Sequence, residues 1–478
     1  MKSPLRRSLV LIALLSSSAF AAPTAAPYQP QCTPNEDFCV MFSPTDMPVI
    51  GVGKYLQSAT KTIRIATYNI SVDEYLPILR KKLHDGVKVE LMVDYLQSQG
   101  GKVFEALAPA PGLTKVRLPV FRGGTPQMHN KIIVIDGDTI LMGSANFTYS
   151  GLVANYENVV AIRNAPAAAK IVNTELDELR DVAKAACGIM QGTDAGCTDG
   201  ANMDVKAPEF HTLLTEGKFA DATTQSLEAS LKDCSGKDLK LEYGVLTSRN
   251  QALLSQDLVD KCLAGLPSSD AGSTLGKLLK LWKTIPPMEH LATGVAAAQA
   301  PEAMKTLETR MRQIFVKDPK DGPITYPSLD DLQGLRADLD AADLEKGGAL
   351  RVYFGPEDGL EAAVLREMLR SLDAPKDSFV YVSTNFITNP RYAKAMVALS
   401  RAGVRIRAFF DRGRYEDPQF QTAIGVLRPL GFMEPGQSVF DTTDNRVISI
   451  FDNALTSSYG SNHNKLMIVG TPKGVRSI

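Results

Sequence analysis

An internal repeat is the strongest constraint on the fold. Residues 40–95 and residues 352–413 follow the same order of alternating, helical-period and turn-forming segments. Each stretch also reaches an aspartate directly after an apolar strand, Asp94 in the first and Asp411 in the second. A repeat of this length predicts two copies of one structural unit. The matching segments are VMFSP at 40–44 with VYFGP at 352–356, and GVKV at 86–89 with GVRI at 403–406.

Each repeat has the periodicity of an α/β unit. In the first repeat, residues 62–68 alternate β-branched residues, which predicts a strand. Residues 74–83 place apolar side chains at helical spacing, and residues 87–93 form a second apolar strand. Strands that alternate with helices over short connections predict a sheet covered by helices. We therefore expect an α/β fold class, with two duplicated α-β-α lobes whose sheets are mixed and largely parallel.

The segment between the repeats has no counterpart in either copy. It is mainly helical in pattern, with Pro and Gly breaks at 265–267 and 286–287. Residues 275–283 form a basic amphipathic stretch with the single tryptophan, Trp282. We interpret this stretch as a core helix with its lysines in solvent, and contact with an anionic membrane surface is the alternative. The predicted regions are a signal peptide at 1–21, a first lobe at 32–187, a helical insertion at 188–347 and a second lobe at 348–478.

Two of the five histidines stand in the same tripeptide, His-Asn-Lys, directly before an apolar strand. In the first copy, His129 and Lys131 are two residues apart, so on a strand their side chains share one face. The turn at 136–138, Asp-Gly-Asp, predicts a hairpin that returns Ser144 and Asn146 to that face. These side chains suit a phosphate group, because the ammonium and the donors hold its oxygens while the imidazole attacks phosphorus or moves protons.

The second copy of the tripeptide strengthens this interpretation. A lone histidine is more often structural than catalytic, but His463, Asn464 and Lys465 precede an apolar strand at the corresponding place in the second repeat. Two facing copies would supply a nucleophile and a general acid, which a double displacement at phosphorus requires. The other three histidines are interpreted as surface or packing residues: His84, His211 and His290.

These residues resemble the signature of the phospholipase D superfamily, which is His-x-Lys-x4-Asp followed by Gly-Ser-x-Asn, carried twice. Residues 155–158, Asn-Tyr-Glu-Asn, also look like the family's Asn-x-Glu-Asn element, whose glutamate orients a catalytic histidine. The glutamate of that element is Glu157 here. The first copy matches the main signature at His129, Lys131, Asp136, Gly143, Ser144 and Asn146.

The resemblance implies that the two lobes pack face to face around one active site and that no metal or other cofactor takes part. It implies that His129 is the nucleophile that forms a phosphohistidine, and that His463 acts first as an acid and then as a base. Lys131 and Lys465 would bind phosphate oxygens. The implied role is binding or orienting for Ser144, Asn146, Glu157 and Asn464, and structural for Asp136 and Gly143.

The second copy departs from the family pattern after its lysine. Gly470 stands at the position of Asp136, and we interpret residues 471–474 as a longer loop in place of the tight turn. Nothing in the sequence corresponds to the serine, asparagine and glutamate of the first copy, although residues 475–478 resemble the start of a returning strand. We expect the sequence to be a fragment of a longer coding sequence, and a degenerate second half is the alternative.

The N-terminus has the pattern of a secretory signal peptide. Basic residues precede an apolar run at 9–15, and small residues follow it up to Ala21. A membrane anchor is the alternative, but the run is shorter than the roughly 20 apolar residues that span a bilayer. We expect cleavage near Ala21, no transmembrane segment in the mature chain, and a secreted or periplasmic protein.

Six cysteines fit an oxidising compartment, where disulfides persist. Their connectivity stays open, because six cysteines allow 15 pairings. A zinc site is the alternative, but no CxxC pair and no histidine cluster supports it. Neighbours in sequence suggest three local pairs: Cys32 with Cys39, Cys187 with Cys197, and Cys234 with Cys262.

The charge weighs against a polynucleotide substrate. The net charge is −1, and removing three basic residues with the signal peptide leaves −1 − 3 = −4. A broad nucleic-acid-binding surface usually needs a basic face. The resemblance implies a phosphodiesterase of phospholipase D type, and the signal pattern and this charge favour lipid, so we expect an exported monomeric enzyme that hydrolyses phospholipid to phosphatidic acid and head group. The alternatives are a secreted or periplasmic nuclease of the same superfamily, for which nucleic acid is the substrate, and a non-catalytic binding relative.

Overall fold

The computed structural model contains two large β-sheets flanked by helices, a seven-stranded first sheet and a six-stranded second sheet, together with a small two-stranded hairpin. The predicted signal peptide and Trp282 lie outside the described residues, as do Cys32, Cys197 and the VYFGP segment. The structure describes residues 37–94, 102–118, 128–191, 224–239, 241–242, 245–246, 256–266, 275–276, 279–280, 301–318, 322–342, 360–385, 387–411, 421–433, 446–451 and 462–477.

The first sheet and its helices occupy the chain up to residue 191. Its strands are β1 (Phe38–Ser43), β2 (Thr62–Thr67), β3 (Lys88–Asp94), β4 (Leu113–Leu118), β5 (Lys131–Ile135), β6 (Thr139–Gly143) and β7 (Glu157–Ile162). The helices are α1 (Pro48–Ser58), α2 (Tyr75–His84), α3 (Lys102–Ala106) and α4 (Pro166–Gln191), with a short π-helical turn at Ser150–Ala154.

The remaining elements are two helices and a small hairpin, followed by the second sheet with its helices. The first group comprises α5 (Thr224–Ser235), β8 (Leu241–Glu242), β9 (Val245–Leu246) and α6 (Gln256–Gly265). The helices of the second group are α7 (Pro301–Ile314), α8 (Leu329–Ala342), α9 (Leu360–Leu369), α10 (Pro390–Arg401) and α11 (Gln421–Leu427). Its strands are β10 (Phe379–Thr384), β11 (Arg405–Asp411), β12 (Phe432–Met433), β13 (Arg446–Phe451), β14 (Lys465–Thr471) and β15 (Gly474–Ser477).

The first sheet has the strand order β1-β7-β6-β5-β2-β3-β4 and is mixed, as predicted. However, only the β2–β3 and β3–β4 pairings are parallel, and the other four are antiparallel. The expectation of a largely parallel sheet is therefore wrong here. The short turn at 136–138 joins β5 to β6, and a turn of that length connects antiparallel strands, whereas parallel neighbours need a long crossover.

The second sheet has the order β12-β13-β11-β10-β14-β15, with three parallel pairings and then two antiparallel ones. Its centre has the same pairing as the first sheet. Strand β10 pairs in parallel with β11 and antiparallel with β14, as β2 does with β3 and β5. The duplication of the lobes stays a prediction. Two copies of one lobe would be expected to share this strand pairing.

The hairpin of β14 and β15 corrects one expectation. Thr471 pairs with Gly474, so Pro472 and Lys473 alone form the connection. The interpretation of 471–474 as a longer loop is therefore wrong. Gly474 has a φ of 132°, a conformation that residues with a side chain rarely adopt, and this allows the tight reversal.

Apolar cores on both faces hold the first sheet between helices. One core contains Tyr55 of α1 and Leu79 of α2, both at most 1% exposed. The other contains Val172 and Leu176 of α4, both fully buried. The predicted strands at 62–68 and 87–93 and the predicted helix at 74–83 correspond to β2, β3 and α2, which confirms them to within a residue or two.

Helices α7 and α8 pack in the core of the second sheet, although the sequence pattern assigned them to the insertion. Met311 of α7 and Leu335 of α8 are fully buried there. The same junction holds the buried Lys394, whose ammonium donates to Val316 O at 2.7 Å and lies 2.7 Å from the Asp318 carboxylate. A buried lysine is tolerated because this partner balances its charge.

Helices α5 and α6 form a separate small core, which contains Leu231 and Val259. A disulfide joins Cys234 to Cys262 beside this core, and this confirms one of the three predicted pairs. Within the described ranges, none of the helices has the length and apolar character that crossing a membrane would require.

Candidate active site

The two sheets meet where β7 and β14 begin. Tyr156 and Asn462, each just before one of these strands, form a parallel bridge, and His463 N donates to Tyr156 O at 3.0 Å. Asn158 of β7 adds a side-chain contact, since its Nδ2 donates to Asn464 Oδ1 at 3.1 Å. The second His-Asn-Lys tripeptide is thus held directly against the first sheet.

This junction brings the two predicted catalytic histidines together. The ring centroids of His129 and His463 lie 6.4 Å apart, with the ring planes at 73°. Neither histidine is in a strand, because β5 begins at Lys131 and β14 at Lys465. The imidazoles therefore project from the ends of the two sheets into one common cleft.

One aspartate fixes the backbone directly before each of the two histidines. The Asp94 carboxylate accepts a hydrogen bond from Met128 N at 2.9 Å, and the Asp411 carboxylate accepts one from Asn462 N at 2.9 Å. These aspartates end β3 and β11, the strands beside β2 and β10. Sequence reasoning used them only to align the repeats, but their equivalent positions in both copies are a signal that could have revealed this role.

The side chain of Glu157, in the first sheet, faces His463 from the second half of the chain. It is fully buried, and its Oε1 lies 2.8 Å from His463 Nδ1. The distance is that of an ion pair, but the ring N–H is not aligned on the carboxylate for a hydrogen bond. Oε1 also accepts a long hydrogen bond from Asn155 Nδ2 at 3.4 Å. The carboxylate can thus orient the ring and stabilise an imidazolium on His463.

The two lysines lie beside the histidines of their own tripeptides. Lys131 is 4% exposed, and its ammonium donates to His129 O at 2.7 Å and lies 5.5 Å from the centre of the Tyr68 ring. The Lys465 ammonium lies 3.0 Å from His463 Nε2 and donates to Asn385 Oδ1 at 3.2 Å. The cleft therefore holds two lysine amino groups beside the two imidazoles.

The pKa values of the cleft residues are lowered mainly by desolvation. For His129, desolvation and the charges of Lys131, Lys465 and His463 lower the pKa to about 3. Desolvation and the charge of Lys465 lower the pKa of Lys131 to about 7, and desolvation lowers that of Lys465 to about 8. His129 and Lys465 are exposed by their accessible surface, and the desolvation that lowers their pKa values comes from the protein atoms packed around the rest of each side chain. His129 is consequently neutral, which a nucleophilic imidazole must be.

The predicted hairpin of β5 and β6 is present, and it brings the Gly-Ser-x-Asn segment back beside β7. Ser144 is buried, and its Oγ accepts a hydrogen bond from Asn158 N at 3.0 Å. Asn146 Oδ1 is buried and has no hydrogen-bond partner among the described residues. Asn146 thus has a free acceptor, whereas Ser144 bonds to the strand that carries Glu157 and Asn158.

Asp136 has a structural role and takes no part in the phosphate chemistry. It accepts hydrogen bonds at 2.8 Å from the backbone N–H groups of Thr60, Lys61 and Thr62, and so ties the β5–β6 turn to the start of β2. Although desolvation opposes it, this set of hydrogen bonds lowers the pKa of the Asp136 carboxyl. The residue stabilises the turn that positions β6.

The arrangement can bind an anion between two lysines and offer it a neutral imidazole on one side and a carboxylate-paired imidazole on the other. Those are the requirements of an in-line displacement at phosphorus. Among the described residues, no group of three or more His, Cys, Asp or Glu side chains is placed to hold a metal ion.

The first sheet, with its His-Asn-Lys tripeptide, is similar to one known family. Residues 52–180 match the family model described as cardiolipin synthase, PLD-like domain. This range contains His129, Lys131 and Glu157, and it confirms the resemblance to the phospholipase D superfamily for this part of the chain.

Two curated proteins and one solved structure are also similar to part of the chain. The chain is 28% identical over 132 residues to mitochondrial cardiolipin hydrolase of Chlamydomonas reinhardtii, covering 27% of this chain and 56% of that protein. It is 30% identical over 112 residues to phospholipase D of Rickettsia typhi, covering 23% and 52%. Nuc of Salmonella typhimurium, a solved phospholipase D family member, is 26% identical, with 30% of this chain and 91% of that chain covered and a TM-score of 0.26. The chain thus spans about half the length of the curated relatives that it matches.

Proposed function

We propose that the protein is an exported phosphodiesterase of phospholipase D type, which hydrolyses phospholipid to phosphatidic acid and a free head group. The observation that carries this proposal is the 6.4 Å separation of the His129 and His463 rings across the junction of the two sheets. Reacting atoms in a near-attack geometry are about 3–3.5 Å apart, so a phosphodiester between the rings could present its phosphorus to one ring and its leaving-group oxygen to the other.

In the first step, a ring nitrogen of His129 attacks phosphorus and the bond from phosphorus to the head-group oxygen breaks. His463 donates its ring proton to that oxygen, so the head group leaves as a neutral alcohol. The Glu157 carboxylate, 2.8 Å from His463 Nδ1, stabilises the imidazolium form that supplies the proton. Lys131 and Lys465 hold the non-bridging oxygens as negative charge develops on them.

In the second step, water attacks the phosphohistidine. His463, now neutral, takes a proton from the water, and the bond from phosphorus to His129 breaks. The products are phosphatidic acid and a free His129. The charge states of the cleft support this assignment, because the lowered pKa of His129 leaves its nitrogen unprotonated for attack.

The names of the curated relatives support lipid as the substrate. The two proteins compared above are a cardiolipin hydrolase and a phospholipase D, and the matching family model spans residues that include His129. The predicted signal peptide and the charge of −4 expected after its removal support an exported enzyme with a lipid substrate. We also propose that the mature protein is a monomer, since the described residues of one chain supply both histidines.

A substrate comparison in the presence of EDTA tests this function. Purified protein is incubated with phosphatidylcholine vesicles or with plasmid DNA. We expect choline release from the vesicles and intact plasmid. Plasmid nicking without choline release would assign the protein to the nucleases, and no turnover of either substrate would make it a non-catalytic relative.

A pair of histidine variants controls the assay. His129→Ala should abolish turnover because it removes the nucleophile. His84→Ala is the matched control, since the side chain of His84 is 89% exposed at the end of α2 and is not one of the cleft residues. Choline release by the His129→Ala variant at the wild-type rate would exclude His129 as the nucleophile.

A further inference from the structure

A cavity of about 270 Å³ lies between the second sheet and helices α9 and α10. Its wall contains three buried methionines, Met368, Met396 and Met467, together with half-buried aliphatic residues such as Val364 and Ile387. Methionine side chains are flexible and polarizable, so they adapt to apolar ligands of irregular shape. The wall therefore offers an adaptable apolar surface.

Two polar side chains of the wall are held in place or uncharged. Asn389 Nδ2 donates to Glu361 Oε1 at 2.6 Å, and Asn389 Oδ1 accepts a hydrogen bond from Arg391 N at 2.8 Å. Desolvation, with the charge of Glu361, raises the pKa of the Tyr392 hydroxyl above its ordinary value, so this group is neutral. Among the residues that line the cavity, Lys465 is the one that can carry a charge at neutral pH. A fitting ligand therefore has an apolar body and an anionic group at the Lys465 end.

Lys465 belongs both to the cavity wall and to the candidate active site. Its ammonium lies 3.0 Å from His463 Nε2 and donates to Asn385 Oδ1 at 3.2 Å. The residue is exposed, whereas its counterpart Lys131 is only 4% exposed. A phosphate group held by Lys465 would therefore adjoin the cavity, and one molecule could occupy both places.

We propose that this cavity binds one alkyl chain of the lipid whose phosphate lies between His129 and His463. This assignment rests on the proposed phosphodiesterase function and names the part of the substrate that the second sheet recognises. The phosphate would be held by Lys465, and the chain would lie against Val364 and Ile387. A cationic head group such as choline does not suit the cavity, because the Lys465 ammonium would repel it.

The volume of the cavity limits the length of chain that it holds. An engineered apolar cavity of about 150 Å³ accepts benzene, a molecule of six carbon atoms. At the same packing, a cavity of about 270 Å³ holds about ten carbon atoms, which is part of one chain. Burial of each methylene group should tighten binding by about two- to fourfold until the cavity is full.

A series of phosphate monoesters measures this dependence on chain length. Methyl, butyl and octyl phosphate, each below its micellar concentration, are titrated calorimetrically into the full chain. We expect octyl phosphate to bind at least about tenfold more tightly than butyl phosphate. Excess sulfate should compete with octyl phosphate, because both anions would occupy the position beside Lys465 and His463.

A variant that fills the cavity tests its location. Val364→Phe adds an aromatic ring to the wall, and we expect the ratio of octyl to methyl phosphate affinity to fall by about tenfold or more. Val475→Phe is the matched control, since Val475 is 66% exposed on β15 and should leave the ratio as it is. A ratio measured within one protein does not change with the folded fraction. Ile387→Ser is a second variant, which makes the wall polar and should also lower the ratio.

Several results would overturn the alkyl-chain site. Octyl phosphate might bind no more tightly than methyl phosphate, or it might bind in a way that excess sulfate does not affect. An unchanged affinity ratio in both Val364→Phe and Ile387→Ser would overturn it as well. Choline release by a protein without any chain-length preference would leave the proposed activity in place and remove this site. A chain-length preference without choline release would refute the activity and support the site, so the two failures are distinguishable.

Discussion

The carboxylate of Glu157 lies 2.8 Å from Nδ1 of His463, although the two residues belong to different sheets and are some three hundred residues apart. Glu157 is fully buried, whereas His463 keeps part of its surface in the cleft. The first sheet therefore supplies both its own histidine, His129, and the residue that orients the histidine of the second. Neither sheet alone holds a complete acid and nucleophile.

Replacing Glu157 by glutamine should separate the effect of the carboxylate on His463 from any effect on folding. The amide keeps the shape of the side chain but removes the charge that stabilises a His463 imidazolium, so we expect kcat to fall by about 100-fold. Circular dichroism and the melting temperature should change little in comparison. Glu105→Gln is the matched control, since its side chain is 50% exposed on α3. An unchanged kcat in Glu157→Gln would contradict the role assigned to the carboxylate.

The leaving group should distinguish the two histidines. In His463→Ala, the acid is missing, but a p-nitrophenyl phosphodiester needs no protonation of its departing oxygen. We expect this variant to retain a burst of p-nitrophenol release while losing activity on a lipid with a poor leaving group by about 100-fold or more. His129→Ala should lose both activities. If His129→Ala kept the burst and His463→Ala lost it, the roles of nucleophile and acid would be exchanged.

Local patterns in the sequence predicted the elements that position the site. The alternation at 62–68 and the turn at 136–138 depend on neighbouring residues, and both are present as β2 and the β5–β6 hairpin. The mostly antiparallel character of the first sheet was missed because it depends on pairings such as Phe42 with Asn158, which are distant in sequence. No local period records which distant strands become neighbours.

For the site residues as well, local features were predictable from the sequence and long-range pairings were not. The repeated His-Asn-Lys tripeptide identified His129 and His463, since chemistry and repetition are both visible in sequence. The partner of Glu157 was left open, because it depends on how the two sheets pack and only the structure pairs it with His463. The roles of Asp94 and Asp411 were missed for a related reason: their repeated position marks both aspartates, but it does not show from which backbone N–H group each one accepts a hydrogen bond.

Anion binding should weaken as the pH rises through the range set by the two lysines. Binding favours the protonated ammonium groups, and the pKa values of Lys131 and Lys465 are about 7 and about 8. At pH 6 both are already charged, whereas at pH 9 each must take up a proton on binding. We therefore expect the affinity for sulfate, which does not titrate here, to be highest at pH 6 and to fall by up to about tenfold per pH unit for each lysine above its pKa.

Calorimetry in buffers of different ionisation enthalpy measures this proton uptake directly. At pH 8, sulfate binding should take up about 1.4 protons, roughly 0.9 by Lys131 and 0.5 by Lys465, and at pH 6 close to none. Lys131→Arg keeps its charge throughout and should remove the step near pH 7 while leaving the step near pH 8. Sulfate affinity that is constant from pH 6 to pH 9 would show that neither ammonium contacts the anion.

Gly143 should be intolerant of any side chain, because a Cβ there would lie 2.2 Å from Asn158 O and 3.0 Å from Val159 Cα. These are backbone atoms of β7, so relief requires β6 and β7 to separate beside Glu157. We expect Gly143→Ala to lower the free energy of unfolding by about 1–3 kcal/mol and to reduce turnover, since the strand that holds Glu157 must shift. Gly425→Ala is the matched control: it lies in α11, a Cβ there meets nothing within 4 Å, and alanine in a helix is expected to stabilise by up to about 1 kcal/mol. Urea denaturation of both variants measures the difference, and equal stability of the two would mean that β6 and β7 are not as closely packed as this distance requires.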